Sequence, residues 1–192
     1  MKHIDPHGID LYGAIELEGL QAFNEEEEGS TKFVIKPREE MLEESKGTLR
    51  SDDDVELVIK IPFTSKVKIK AITIIGGEDG TAPKSIKLYP DLASVDFSIL
   101  EDNEPAQEID LIEDNSEGRV DYPVKLTKFQ SVGTLTIGID QNYGADNTEI
   151  KYIGFKGENL NQKAQAVITV YESRANLADH KNPMMDEMPK DV

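Results

Sequence analysis

The sequence predicts an all-β protein built as a single β-sandwich or jelly roll, and three observations carry that prediction. Alternation of period two runs through SDDDVELVIKIPFTSKVKIKAITIIGG, residues 51–77. Val55, Leu57, Ile59 and Ile61 alternate with Glu56, Val58 and Lys60, and Val67, Ile69 and Ala71 alternate with Lys66, Lys68 and Lys70, as in strands with one buried face. Short segments rich in Val, Ile, Tyr and Thr then follow one another, each bounded by Gly, Pro, Asn or Asp. No long helical pattern interrupts them, which argues against βαβ units and a doubly wound sheet.

In chain order, residues 1–8 hold two His, a Pro and a Gly without periodicity and read as a flexible arm. Residues 9–23 fit a short strand or an irregular segment laid on the core, and 25–29 a solvated turn. Residues 33–35 read as a short strand. Residues 37–44 read as one or two helical turns, since Pro37 suits a first helical position and the following Glu residues suit the helix dipole. Pro62 lacks a backbone donor and is expected at a strand end or a sheet edge. The glycine-rich run at 76–83 reads as a turn. Further strands are expected at 85–89, 95–99, 108–112, 120–126, 134–140, 149–156 and 166–172. The expected core includes Val67, Ile69, Ile86, Leu88, Phe97, Val124, Leu126, Leu135, Ile137, Ile139, Ile153, Phe155, Val167 and Ile168. Patterning stops at 174, so 174–192 reads as a disordered tail. With 192 residues and 38% apolar content the chain supplies one core, placing a single domain at 9–173.

Composition narrows the function. There is no Cys, which excludes disulfides, thiolate nucleophiles, Cys-ligated zinc and thioredoxin-type redox motifs. A formal net charge of -17, from 38 acidic and 21 basic residues, repels phosphate backbones and excludes nucleic acid as an expected direct partner. Neither a signal core nor a membrane-length apolar run is present, so no membrane association and a cytoplasmic and nuclear location are expected. His3, His7 and His180 all lie in the predicted termini, away from any sheet that could orient a general base. Carboxylates are abundant, but a glycosidase needs two facing each other across a cleft and usually aromatic platforms, and the chain has no Trp. The segment GGEDG lacks the Lys-Ser/Thr pair and following helix of a phosphate loop. Lys66, Lys68 and Lys70 form a basic stripe that reads as edge protection of a strand. These absences predict a protein that is not an enzyme and holds no cofactor or metal.

The remaining candidates are loops, where binding residues concentrate on a rigid sandwich. Asp52, Asp53 and Asp54 form an acidic knot. Glu78 and Asp79 lie in the 77–83 loop, and Asn142, Tyr143, Gly144 and Asp146 in the loop that follows Asp140. The knot and the Asn142 loop offer the oxygen ligands that calcium prefers, and the same Asx-rich runs also close turns through local hydrogen bonds.

Four blocks carry a family resemblance: SDDDVELVIKIPF at 51–63 with the Lys-rich strand after it, KSIKLY at 84–89, QNYGADNTEIKYIGFKGE at 141–158, and YESRANLADHK at 171–181. Together the chain resembles the PITH domain family over about residues 9–181. The resemblance implies a jelly-roll β-sandwich similar to galactose-binding domains, and a protein partner in the 26S proteasome. The motifs are turn and strand residues and contain no catalytic signature. The expected function is a non-enzymatic protein-interaction module. The alternative is a small-ligand or carbohydrate-binding module, with Tyr143 as the loop aromatic placed to stack on a sugar.

Overall fold

The computed structural model describes residues 5–161. Nine strands form one curled antiparallel sheet: β1 (Ile9–Asp10), β2 (Gln21–Phe23), β3 (Leu49–Arg50), β4 (Leu57–Gly76), β5 (Ser85–Pro90), β6 (Gln107–Asp110), β7 (Tyr122–Pro123), β8 (Val132–Ile139) and β9 (Glu149–Asn159). The first half of β4 pairs with β8, from Leu57↔Ile139 to Pro62↔Thr134, and with β2 on its other side. Its second half pairs with β9, from Val67↔Asn159 to Gly76↔Ile150, and with β7 at Ala71 and Ile72. β5 and β6 continue the sheet beyond β8, while β1 and β3 continue it beyond β9. A single 20-residue strand therefore belongs to both halves of the sandwich.

The apolar faces of the halves close on one core. Ile59, Ile61, Ile86, Leu88, Leu135 and Ile137 come from one half; Ile69, Ile72, Ile74, Ile153 and Phe155 come from the other. The Phe63 and Phe155 rings meet edge to face with centroids 5.9 Å apart, the favoured aromatic geometry. The core parity of β4 changes along its length, from odd residues up to Ile69 to even residues from Ile72. The pairing skips Lys70 between Ile69↔Gly157 and Ala71↔Lys156, and this bulge moves every later side chain to the opposite face. Ala71, read from the alternation as continuing the Val67–Ile69 face, accordingly lies on the other face.

Pro62 lies inside β4 and not at an end or an edge. The β4–β8 register shifts between Pro62 and Val67, where the strand passes from one half of the sheet to the other, so the missing donor falls where the ladder is already interrupted. The Pro62 carbonyl still accepts from the Glu16 amide at 2.9 Å. The lysine stripe does not guard a free edge, because β4 has neighbours on both sides. Lys70 pairs with Glu158 at 2.6 Å and Lys66 with Asp91 at 3.7 Å.

Two predicted strands are helical turns. Residues 33–35 belong to α1 (Thr31–Val34) and its C-terminal residue, which places the buried Val34 and Ile35 against β9; Ile35 bridges to Ile153. At 95–99 the Asp96 carboxylate accepts from the Ser98 amide at 2.9 Å and its hydroxyl at 2.6 Å, turning the chain into α2 (Ile99–Asp102). Ile99 then joins Val58 and Tyr89 in a small cluster on the outer face of the sheet, and Phe97 is 39% exposed instead of entering the core. Leu126 is likewise 46% exposed, because a turn at Lys125–Phe129 hands its place to the buried Phe129. The 120–126 segment pairs only at β7. The predicted strand at 166–172, with Val167 and Ile168, and the 174–192 tail lie outside the described residues. No helix among the described residues is long and apolar enough to cross a membrane.

Candidate interaction surface

Backbone hydrogen bonds draw the three predicted loops together. The 77–83 loop and the Asn142 loop are laced by Tyr143 N to Ala82 O (3.2 Å), Ala145 N to Gly80 O (3.3 Å) and Glu149 N to Thr81 O (2.9 Å), with a bridge between Pro83 and Asn142. The acidic knot joins the same segment one step further on. The Ser51 amide donates to the Thr148 carbonyl at 2.9 Å, the Thr148 amide donates to Ser51 Oγ at 2.7 Å, and the Thr148 hydroxyl donates to the Val55 carbonyl at 2.7 Å. The 77–83 loop and the acidic knot thus both rest on residues 141–149, the segment that holds the Asn142 loop and leads into β9.

Several of the predicted residues hold the turns themselves. Asn142 Nδ2 donates to the Ala145 and Asn147 carbonyls at 3.0 and 2.9 Å, and its Oδ1 accepts from the Gly144 amide at 2.9 Å. Gly144 has φ +113, a conformation that a side chain disfavours, with open space around it. Asp54 accepts from the Glu56 amide at 2.9 Å and from Asn24 Nδ2 at 2.9 Å. Except for the bond from Asn24, which reaches across the chain, these are the local Asx closures expected of turn residues. Among the described residues, no three His, Asp or Glu side chains are arranged to hold a metal ion. Tyr143 is half-buried, and its hydroxyl donates to the Leu111 carbonyl at 2.5 Å.

Asp52, Asp53, Glu78, Asp79 and Asp146 remain as exposed carboxylates on this frame. The 25–28 acidic run lies beside them, since Glu26 N donates to Arg50 O and Asp52 N to Asn24 O, both at 2.9 Å. Burial, followed by the charges of Asp54 and Asp140, pushes the Glu56 carboxyl above its ordinary pKa. A cleft of about 280 Å³ opens between Glu78–Asp79 and Glu113–Asp114, with Lys151 on its wall pairing with Glu44 at 3.0 Å and Glu78 at 3.6 Å.

Asn24, not singled out in the sequence, organises the knot. It has φ +68, and its amide also donates to the Glu56 carbonyl at 2.8 Å. Asn24→Ala is expected to cost about 2 kcal/mol of unfolding free energy, through the left-handed backbone and two lost bonds. Urea denaturation checks this, and a change below about 0.5 kcal/mol would reject the role given to Asn24.

A second charged group also escaped sequence reasoning. Asp121 accepts from Lys156 Nζ at 2.6 Å, Thr73 Oγ1 at 2.5 Å and Arg38 NH1 at 3.2 Å, and Asp5 closes the network on Lys156 at 2.5 Å. Through Asp5 the end of the predicted N-terminal arm is tied to β9. A lysine within the apolar YIGFKGE run was the available signal, because a charge inside a buried strand calls for a partner.

The model of the PITH domain matches residues 2–175 of this chain. A PITH domain-containing protein of Caenorhabditis elegans is 40% identical over 190 residues, covering 97% of this chain and 88% of the relative. Human PITH domain-containing protein 1 is 41% identical over 172 residues, covering 89% and 80%. Among solved structures, the CBM32 domain of CpGH89 from Clostridium perfringens, in complex with GalNAc-β-1,3-galactose, superposes with a TM-score of 0.53 at 13% identity, covering 78% of this chain and all of that one. The family 32 CBM from C. perfringens NanJ, in complex with galactose, gives a TM-score of 0.50 at 13% identity, covering 74% and 96%. At this identity the likeness shows the fold, a jelly-roll sandwich of the galactose-binding kind.

Proposed function

This chain belongs to the PITH domain family, and from that premise we propose that it is a non-enzymatic protein-interaction module whose acidic loop end docks a basic surface of the 26S proteasome. The observation that carries the reading is the convergence of the Asp52–Asp53 knot, the Glu78–Asp79 turn and Asp146 on one hydrogen-bonded frame. The hydrogen-bonded frame fixes the backbone that carries these carboxylates before a partner arrives, so little loop-ordering entropy is lost on binding. The raised pKa of Glu56, caused first by burial and then by the charges of Asp54 and Asp140, adds to this, because a cation brought to the knot favours its ionised form. Complementary charge would act mainly on the rate of encounter and on the choice of partner.

Affinity purification from lysate tests the proposal. Tagged wild-type protein is expected to enrich proteasome subunits. The combined Asp52→Lys, Asp53→Lys, Glu78→Lys and Asp146→Lys variant is expected to lower that recovery about tenfold or more. These exposed substitutions should each change stability by less than about 0.5 kcal/mol. No enrichment by wild type would overturn the partner, and equal recovery by the variant would overturn the surface.

Sugar binding is the second reading, favoured by the fold it shares with domains solved in complex with galactose or GalNAc-β-1,3-galactose. Tyr143 argues against it, since its hydroxyl is held by Leu111 and its ring is half-buried instead of standing free as a stacking platform. Fold alone does not carry function, so the interaction module is the reading retained.

A further inference from the structure

Lys36 is 6% exposed, and its ammonium has one acceptor, the Glu43 carbonyl. Among the described residues it forms no ion pair, and neither does Lys46. An ammonium this close to the protein interior, with donors left over after its one protein acceptor, is stabilised by an anionic partner brought to it. Lys36 lines a cleft of about 310 Å³ whose wall carries Lys32 and Lys46 and whose apolar surface comes from Leu17, Ile35 and Pro37. Glu18 and Glu40 also line the cleft; Glu18 is paired with Lys32 at 3.4 Å.

We propose that this cleft binds a carboxylate side chain of an acidic peptide segment on a partner protein, with Lys36 as the buried contact and Lys46 at the rim. The carboxylate supplies the acceptor that the ammonium lacks, and the apolar wall takes up the methylenes and neighbouring apolar residues of the same segment. That wall is what favours a peptide over a free inorganic anion. Burial, opposed through space by Glu44, Glu43 and Glu40, lowers the Lys36 pKa, and an incoming carboxylate reverses the penalty. The site goes beyond the acidic loop end, which selects a partner of the opposite charge.

The test uses the full chain, titrated with the blocked peptide acetyl-LEELE-amide and followed by amide chemical shifts. Saturable shifts are expected at Leu17, Ile35, Lys36 and Lys46. Lys36→Met keeps the apolar stem and should weaken binding about tenfold or more, and Lys46→Glu should weaken it about threefold or more. Inorganic phosphate at the same concentration should leave these amides unmoved. The quadruple loop variant should bind the peptide as wild type does, so failure here is distinguishable from failure of the proteasome reading. Should Lys36→Met fail to fold, the Lys32→Glu, Lys46→Glu double variant carries the comparison. Absence of saturable shifts, shifts confined to other residues, unchanged affinity in the variants, or a response to phosphate in place of the peptide would each overturn the proposal.

Discussion

Asp121→Ala is expected to lower the unfolding free energy by about 3 kcal/mol, because it removes the carboxylate that two cations share and leaves Lys156 with Asp5 alone. The Asp121 side chain is 14% exposed and that of Lys156 is 9% exposed, so water replaces the lost partner poorly. Arg38 would lose its ion pair as well. Burial alone would raise the Asp121 pKa, but the Lys156 ammonium, the Thr73 hydroxyl and the Arg38 guanidinium together hold it below the ordinary value. Asp5 is held below its ordinary value by Lys156 and by the His7 amide. For a carboxylate lowered on folding, the stabilisation is full above the unfolded pKa of about 4 and disappears as pH falls through the lower folded value. For Lys156, burial works against the charge and the bonds to Asp121 and Asp5 outweigh it, raising the pKa. That contribution is full below about pH 10 and is lost as pH rises through the folded value. Urea midpoints should therefore fall for wild type between about pH 5 and pH 2, and the fall should be shallower for Asp121→Asn. Parallel pH curves for the two proteins would show that ionisation of Asp121 contributes nothing to stability.

Gly157→Val is expected to destabilise by about 4 kcal/mol or more, which for a chain of this size corresponds to a melting temperature lower by about 10 °C. A Cβ at Gly157 would lie 1.8 Å from the Lys68 carbonyl oxygen, a backbone atom on the paired strand that cannot swing aside. On its other flank Gly157 pairs with Ile9 of β1, so the strand has no free side toward which to shift. Calorimetry of the purified variant reads the effect. A melting temperature within about 2 °C of wild type would mean that β4 and β9 separate more easily than their pairing implies.

Much of this fold was legible in the chain because it rests on short-range pattern. The period-two runs of β4, β5, β8 and β9 each place one apolar face inward whatever lies across the core, and their turn residues close locally. Residues 33–35 and 95–99 misled for the same reason. Their β-branched and aromatic residues match a strand, but the Asx turn at Asp96 and the packing of Val34 and Ile35 on β9 bend them into helical turns. The candidate site was legible as three loops and not as one surface. Nothing in the residues 51–54 or 142–146 encodes that Thr148 joins them.

By itself the sequence determined an all-β domain, its family and the absence of cysteine chemistry, because composition and alternation act on each segment separately. Only the tertiary structure decided that β4 runs through Pro62 and changes parity at Lys70, that Asp121 gathers Arg38 and Lys156, and that Lys36 is buried with no ion pair among the described residues. These features depend on which strands are neighbours, and the pairing of residues distant in sequence is set by closing the whole sheet around one core.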